Sequence, residues 1–529
     1  MCASQFAGAL DDVLVRSVFA AALDATRSAD APLPLQLSAV RTLRNVGNLR
    51  PEVAAPAARE VVLQLGPLLL RAAGGTLVLV ADALSAALEH GEVDAATQEQ
   101  VVHAAMEAWR THAADPEVGM SVGYLLETLV RGKHADTVLP EACTAVAAAL
   151  NSETEDLAVQ LGAASLARTV LSAARGAELR GVAPGMFQAA VALLLRTGDA
   201  EVAQNLIHCL TLVCQKCPDE VLAWRDAHGA TALEALLRVV EHQFALGDDE
   251  ACGMPLGVLL VTLFVQAGEA LSPVMPALLH ALARKLVASR SSACTLAMLF
   301  PMAYLFAEHT SAVVQLLADA QVEGADGPEN ALRAVVRTWL AEMEHVHSWF
   351  VRNVHILGIT HLFDQWPAQL DALLVNGEVL PLDTDLIITR SRAKALPTRH
   401  AQIPAAAKVL KQAVHEWEQA APRPDPAARA AAENAELDDG DAEWDDEETD
   451  AQRSLYYQDL FDAAALAGED DEEAAGAPEV DLPGCEAIKQ LDVRGYLETF
   501  FRRYAQAAEL PRVQTALQLS LIHISEPTR

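Results

Sequence analysis

Aromatic side chains are scarce, 5% of 529 residues, although hydrophobic residues together reach 52%. A core must therefore be built from Ala and aliphatic side chains. Ala and Leu favour helix, and no convincing run of alternating strand residues appears, so the expected class is all-α. Bases are also few. Lys and Arg number 38 against 72 Asp and Glu, a formal charge of −34. That balance disfavours a direct reader of bare phosphate backbone, which needs a basic face. The same excess favours a basic protein partner. No apolar run reaches the roughly 18–20 residues that span a bilayer. The best candidate, Pro255 to Val265, is shorter and reads as a buried helix. The opening MCASQFAGALDDVLVRSVF lacks the basic segment and apolar run of a secretory signal. Eight scattered cysteines in a chain of this length do not make a disulfide framework, and a reducing compartment, cytosol or nucleus, fits better.

Catalytic signatures are missing as well. There is no GxxxxGK[ST], no GxGxxG after a strand, no GxSxG and no nucleophile–base pair. Cys214 and Cys217 form a lone CxxC beside His208 and Cys209. A structural zinc site wants four ligands, usually in two spaced pairs, and no second pair exists. Buried thiols are the preferred reading. His345 and His347 stand two apart and so face away from each other on a helix; His355 is farther along. His415 opens HEWEQ, which lacks the second His of a zinc-protease helix. The expectation is a non-enzyme without cofactor or metal.

What is present is repetition. TLVLVADALSAAL, VGMSVGYLLETLV, DLAVQLGAASLARTVL, EVAQNLIHCLTLVC and GMPLGVLLVTLFVQ recur along the chain, each preceded by another amphipathic segment. Breaks such as ADPEVG, NSETED and RTGDAE carry turn and cap residues. Helix pairs at about 40–47 residues mark HEAT or armadillo arrays. The expected fold is a right-handed superhelical HEAT-repeat solenoid of about nine pairs, the bland alternative being an irregular all-helical domain. The chain divides into an array over 1–376, a basic loop over 377–404 and a helix over 405–419. A largely disordered acidic insertion over 420–484, a closing helix over 485–507 and a tail over 508–529 follow. LSLIHISEPTR at 519–529 fits no repeat and reads like a translated sequencing-library adapter.

Two charge clusters stand out. Residues 433–484 hold 20 acids and the single base Arg453, a net −19, which is more than half of the whole excess. The densest part, ENAELDDGDAEWDDEETD, supplies Glu436, Asp438, Asp439, Asp441, Glu443, Asp445, Asp446, Glu447 and Glu448, with Trp444 among them. It is either a solubilising tail or a working surface, and Trp444 weighs toward the second. Arg390, Arg392, Lys394 and Arg399 form the basic cluster. It is a solvated loop, a clamp on the acidic insertion, or a contact to a partner.

Several blocks, taken in order, resemble the C-terminal part of nuclear transport receptors of the importin-β (karyopherin-β) family. They are LAWRDAHGATALEALLRVVEHQF at 222–244, ALRAVVRTWLAEMEHVHSWFVRNVHILGITHLF at 331–363 and ITRSRAKALPTRHAQIP at 388–404. AEWDDEETD at 442–450 and IKQLDVRGYLETFFRRYAQ at 488–506 complete the series. The resemblance implies HEAT repeats, cargo recognition on the inner surface and release by RanGTP. It also implies basic cargo such as core-histone dimers and ribosomal proteins, contact with FG nucleoporins, and shuttling between cytoplasm and nucleus. It further implies that the principal Ran-binding repeats precede this chain and are missing from it. Alternatives are a HEAT scaffold or regulatory subunit without transport activity, or an acidic-loop histone chaperone.

Overall fold

The computed structural model describes residues 11–27, 32–246, 253–324, 327–346, 348–379, 400–420, 482 and 484–506. The chain divides into two compact units, Met1–Ala267 and Gly268–Arg529. Both are built from HEAT-type helix pairs, as the periodicity requires.

The first unit contains α1 (Asp12–Arg27), α2 (Leu33–Leu49), α3 (Ala58–Leu69), α4 (Gly75–His90), α5 (Ala95–Thr111) and α6 (Pro116–Arg131). It continues with α7 (Ala135–Leu150), α8 (Leu157–Ala173), α9 (Ala183–Leu194), α10 (Ala200–Lys216), α11 (Ala232–Ala245) and α12 (Met254–Ala267). Even-numbered helices pack on one another in succession, and odd-numbered helices form a second row. Among the described residues this makes six pairs. The sequence breaks supply the caps. Asp115 accepts from the Glu117 and Val118 amides, Asp156 from Ala158 and Asp199 from Val202. Thr231 and Glu234 complete a reciprocal capping box. Gly162 permits a close helix approach, since a Cβ there would lie 2.3 Å from the Ala113 carbonyl oxygen.

The repeat period also appears in the polar contacts. Arg44 bonds Asp82, Arg59 bonds Asp94, His103 bonds Glu141, Tyr124 bonds Glu89, Lys133 bonds Glu92 and Gln215 bonds Thr262. Each pair joins residues 35 to 47 positions apart. One correction concerns length. α12 runs into a 3-10 turn, and Met254–Leu271 is by length and composition apolar enough to cross a membrane. The sequence reading stopped at Val265 and missed the continuation. Half of this stretch is buried inside the protein, and α12 packs on α10, as a core helix does.

The second unit contains α13 (Met275–Ala288), α14 (Ser292–Ala318), α15 (Ala331–Glu342), α16 (Trp349–Gln365), α17 (Ala405–Gln419) and α18 (Val493–Gln506). α14 breaks at His309, whose φ of −135° and ψ of 36° are not helical. The Ala307 carbonyl beside the break accepts from Nδ1 of His361 at 2.8 Å. Two antiparallel hairpins depart from the purely helical expectation: β1 (Gln321–Gly324) with β2 (Gly327–Asn330), and β3 (Leu374–Val379) with β4 (His400–Pro404). Neither carries a long alternating run, so pattern reading passes over them. β3 and β4 also occupy both ends of the segment read as a basic loop over 377–404. The segment read as one closing helix over 485–507 is instead a short turn of helix, Glu486–Lys489, followed by α18. Asp492 separates them, its carboxylate accepting from the Gly495 amide at 3.1 Å.

Candidate functional site

All of the singled-out acids, Glu436 through Glu448 with Trp444, lie outside the described residues. So do Arg390, Arg392, Lys394 and Arg399. What the structure describes is how both segments are anchored. β3 and β4 pair with Leu374 opposite Pro404 and Val379 opposite His400, so the basic segment leaves and re-enters one hairpin. α17 begins at Ala405, directly after β4, and ends at Gln419, where the acidic segment begins. At 1.5 Å per residue, the 15 residues of α17 span about 22 Å from the base of this hairpin to the start of the acidic segment. The acidic segment returns at α18, which packs on α17 and thus belongs to the same last helix pair.

That return is held at several points. Phe363, Phe500 and Tyr504 form an aromatic cluster, with ring centroids 5.7 Å apart for Phe363–Phe500 and 5.0 Å for Phe500–Tyr504. The Tyr504 hydroxyl donates to Asp364, and Arg503 reaches the same carboxylate at 2.9 Å. Thr360 and the Tyr496 hydroxyl are 2.7 Å apart, and Asn353 Nδ2 donates to the Ile488 carbonyl at 3.2 Å. Burial raises the Tyr496 pKa, so the phenol keeps its proton. Arg494 of α18 stacks 4.7 Å over Trp417 of α17. The neighbouring Glu416 carboxylate is buried, 2.8 Å from Gln412 and 3.5 Å from Arg352. These contacts link residues up to 140 positions apart, so no local sequence signal could have named them.

The cysteine and histidine candidates behave as core groups. Cys209, Cys214 and Cys217 are buried. Burial pushes the first two to about 12 and Cys217 to about 11, which holds all three as thiols. Burial, aided by Arg168 and Lys216, lowers His208 to about 4. His355 is fully buried, with Nδ1 accepting from Trp339 Nε1 at 2.8 Å. His347 lies outside the described residues. Among the described residues, no group of three or more His, Cys, Asp or Glu is placed to hold a metal.

No family model matches the chain. Over 217 residues it is 26% identical to importin subunit beta-5 of Saccharomyces cerevisiae, which covers 40% of this chain and 21% of that protein. It therefore spans only about a fifth of that relative's length. Among solved structures it is similar to the karyopherin Kap121p bound to the SUMO protease Ulp1p. There the TM-score is 0.36 and the identity 9%, over 67% of this chain and 39% of the other. It is also similar to Kap121p bound to Ste12p, with a TM-score of 0.32 and 10% identity over 68% and 43% of the two chains. With its paired-helix repeats, this chain is similar in sequence, over 217 residues, to an importin subunit.

Proposed function

We propose that this chain is part of a nuclear import receptor that wraps and shields basic cargo, with core-histone dimers and ribosomal proteins as the expected classes. The ordered sequence blocks resemble the C-terminal half of importin nine, and this supports the choice of cargo. RanGTP regulates release, FG nucleoporins carry the complex through the pore, and the receptor shuttles between cytoplasm and nucleus. The observation that carries the reading is the dense acidic run tethered at both ends in the last helix pair. A tethered polyanion attracts Lys- and Arg-rich cargo at long range and masks it from nucleic acid. The ordering cost keeps the contact reversible. Glu436, Asp438, Asp439, Asp441, Glu443, Asp445, Asp446, Glu447 and Glu448 supply the charge, and Trp444 an aromatic anchor.

Deleting residues 433–450 should weaken histone-dimer affinity by roughly tenfold at 0.1 M salt and flatten its salt dependence. Unchanged affinity and slope would sink the reading. In the same assay, capture of FG repeats supports transport. Histone binding without it points to a chaperone, and loss of both to a scaffold.

The basic cluster is proposed to clamp the acidic segment, because only β4 and α17 lie between the two along the chain. Reversing Arg390, Arg392 and Lys394 to Glu should then speed trypsin-independent proteolysis, such as Glu-C cleavage within 433–450, several-fold by like-charge repulsion. An unaltered digestion rate excludes the clamp.

A further inference from the structure

The six helix pairs of the first unit are not joined alike. Between the early pairs the polar ties are side chain to side chain, half-buried at Arg44–Asp82 and wet at the joint of the second and third pairs. Lys133 and Glu92 are 78% and 87% exposed, and Arg59 and Asp94 are 61% and 46% exposed. Such pairs contribute little and are screened by salt.

The fourth and fifth pairs meet differently. Lys216, the last residue of α10, donates from Nζ to three carbonyls at the end of α8. They are Leu171 at 2.9 Å, Ser172 at 2.7 Å and Ala174 at 2.8 Å. An ammonium has three donors, and all three are used. Arg196, just after α9, donates from Nη2 to the carbonyls of Leu150 at 2.6 Å and Ser152 at 2.8 Å, at the end of α7. Both helices of the fourth pair are therefore capped at their C-termini by cations of the fifth. Helix C-termini present unpaired carbonyls and the negative end of the helix dipole, so the match is electrostatic as well as geometric. The backbones also close up here. The Cys217 thiol donates to the Gly176 carbonyl at 3.4 Å, and a Cβ on Gly176 would lie 2.5 Å from the Lys216 carbonyl oxygen.

We propose that Arg196 and Lys216 clasp the fourth and fifth helix pairs into one stiff segment, leaving the joints among the earlier pairs as the salt-sensitive, compliant part of this unit. The apolar rows run through every joint, so the difference lies in the polar ties. An ion pair between exposed side chains exchanges readily with water and dissolved ions. A half-buried ammonium fixed on three carbonyls cannot be displaced without uncapping a helix. Burial pulls the Lys216 pKa down to about 8, so the ammonium is the main form at pH 7. A receptor that must open around cargo would then bend ahead of the clasp rather than across it.

Hydrogen exchange of the full chain at pH 7 tests this. The reporters are the last-turn amides of Ala174, bonded to Val170, and of Gly91, bonded to Ala87. Lys216→Met keeps the stem and removes the donors. It should speed exchange at Ala174 about tenfold, the loss expected for charge-assisted hydrogen bonds, while Lys216→Arg should stay close to the wild type. In the wild type, raising NaCl from about 0.05 M to about 0.5 M should speed exchange around Gly91 and leave Ala174 unchanged. Wild-type exchange at Ala174 in Lys216→Met, or equal salt acceleration at both amides, would overturn the proposal.

Discussion

Acidification from pH 6.5 to pH 4 is expected to cost each unit about 3 kcal/mol of stability, at 1.36 kcal/mol per pKa unit of difference between folded and unfolded forms. One buried histidine in each unit is responsible. Burial lowers His208 to about 4 and His355 to about 3, against 6.5 in the unfolded chain. Below pH 6.5 the unfolded chain takes up a proton that the folded chain refuses. The stability is thus fully present above pH 6.5 and drains as pH falls toward the folded values. At His355 the reason is geometric. Its Nδ1 accepts from Trp339, so protonation there breaks the bond, and Nε2 has no partner among the described residues. The depressed carboxylates act in a lower window. Asp94, held down to about 2 by Arg59 and Thr97, loses its contribution only as pH falls from about 4 toward 2. Urea midpoints read between pH 7 and pH 4.5 check the expectation. His355→Gln keeps an acceptor for Trp339 and should flatten the slope for the second unit. If the slope persists in that variant, His355 is not its source.

Phe500→Ala is expected to cost about 3–5 kcal/mol, the range for deleting a fully buried phenyl group and leaving the cavity. Phe500 is completely buried and touches the rings of Phe363 and Tyr504. The substitution should free α18 from α16 and so release the downstream anchor of the acidic segment. Urea unfolding of the second unit gives the stability. Trypsin cleavage at Arg502 and Arg503, both on α18, reports the undocking. Phe501→Ala is the control, since Phe501 is only half-buried and should cost less than half as much by the area it covers. Equal losses in the two variants would mean that the aromatic cluster does not anchor the helix.

The helices and their pairing were legible because their causes are local. Apolar spacing of three and four residues sets the buried face, and Asp115, Asp156, Asp199 and Thr231 sit in the breaks as caps. The repeat period was legible because each pair must bury the same stripe on the next. The acidic and basic clusters were likewise visible as composition, and their roles remain those argued from sequence. The β3–β4 hairpin was not legible, because its closure depends on pairing across more than twenty residues, and β1 and β2, four residues each, are too short to show an alternating pattern.

Sequence by itself thus determined the all-helical class, the paired repeats and the concentration of negative charge in one late segment. Tertiary structure decided which groups those helices bring together. It buried His355 against Trp339, set Lys216 and Arg196 on helix ends 42 to 46 residues away, and folded α18 back onto Asp364. Spacing along a chain fixes the face of a helix. Only packing fixes what that face meets, because the partner's distance in sequence carries no information about its distance in space.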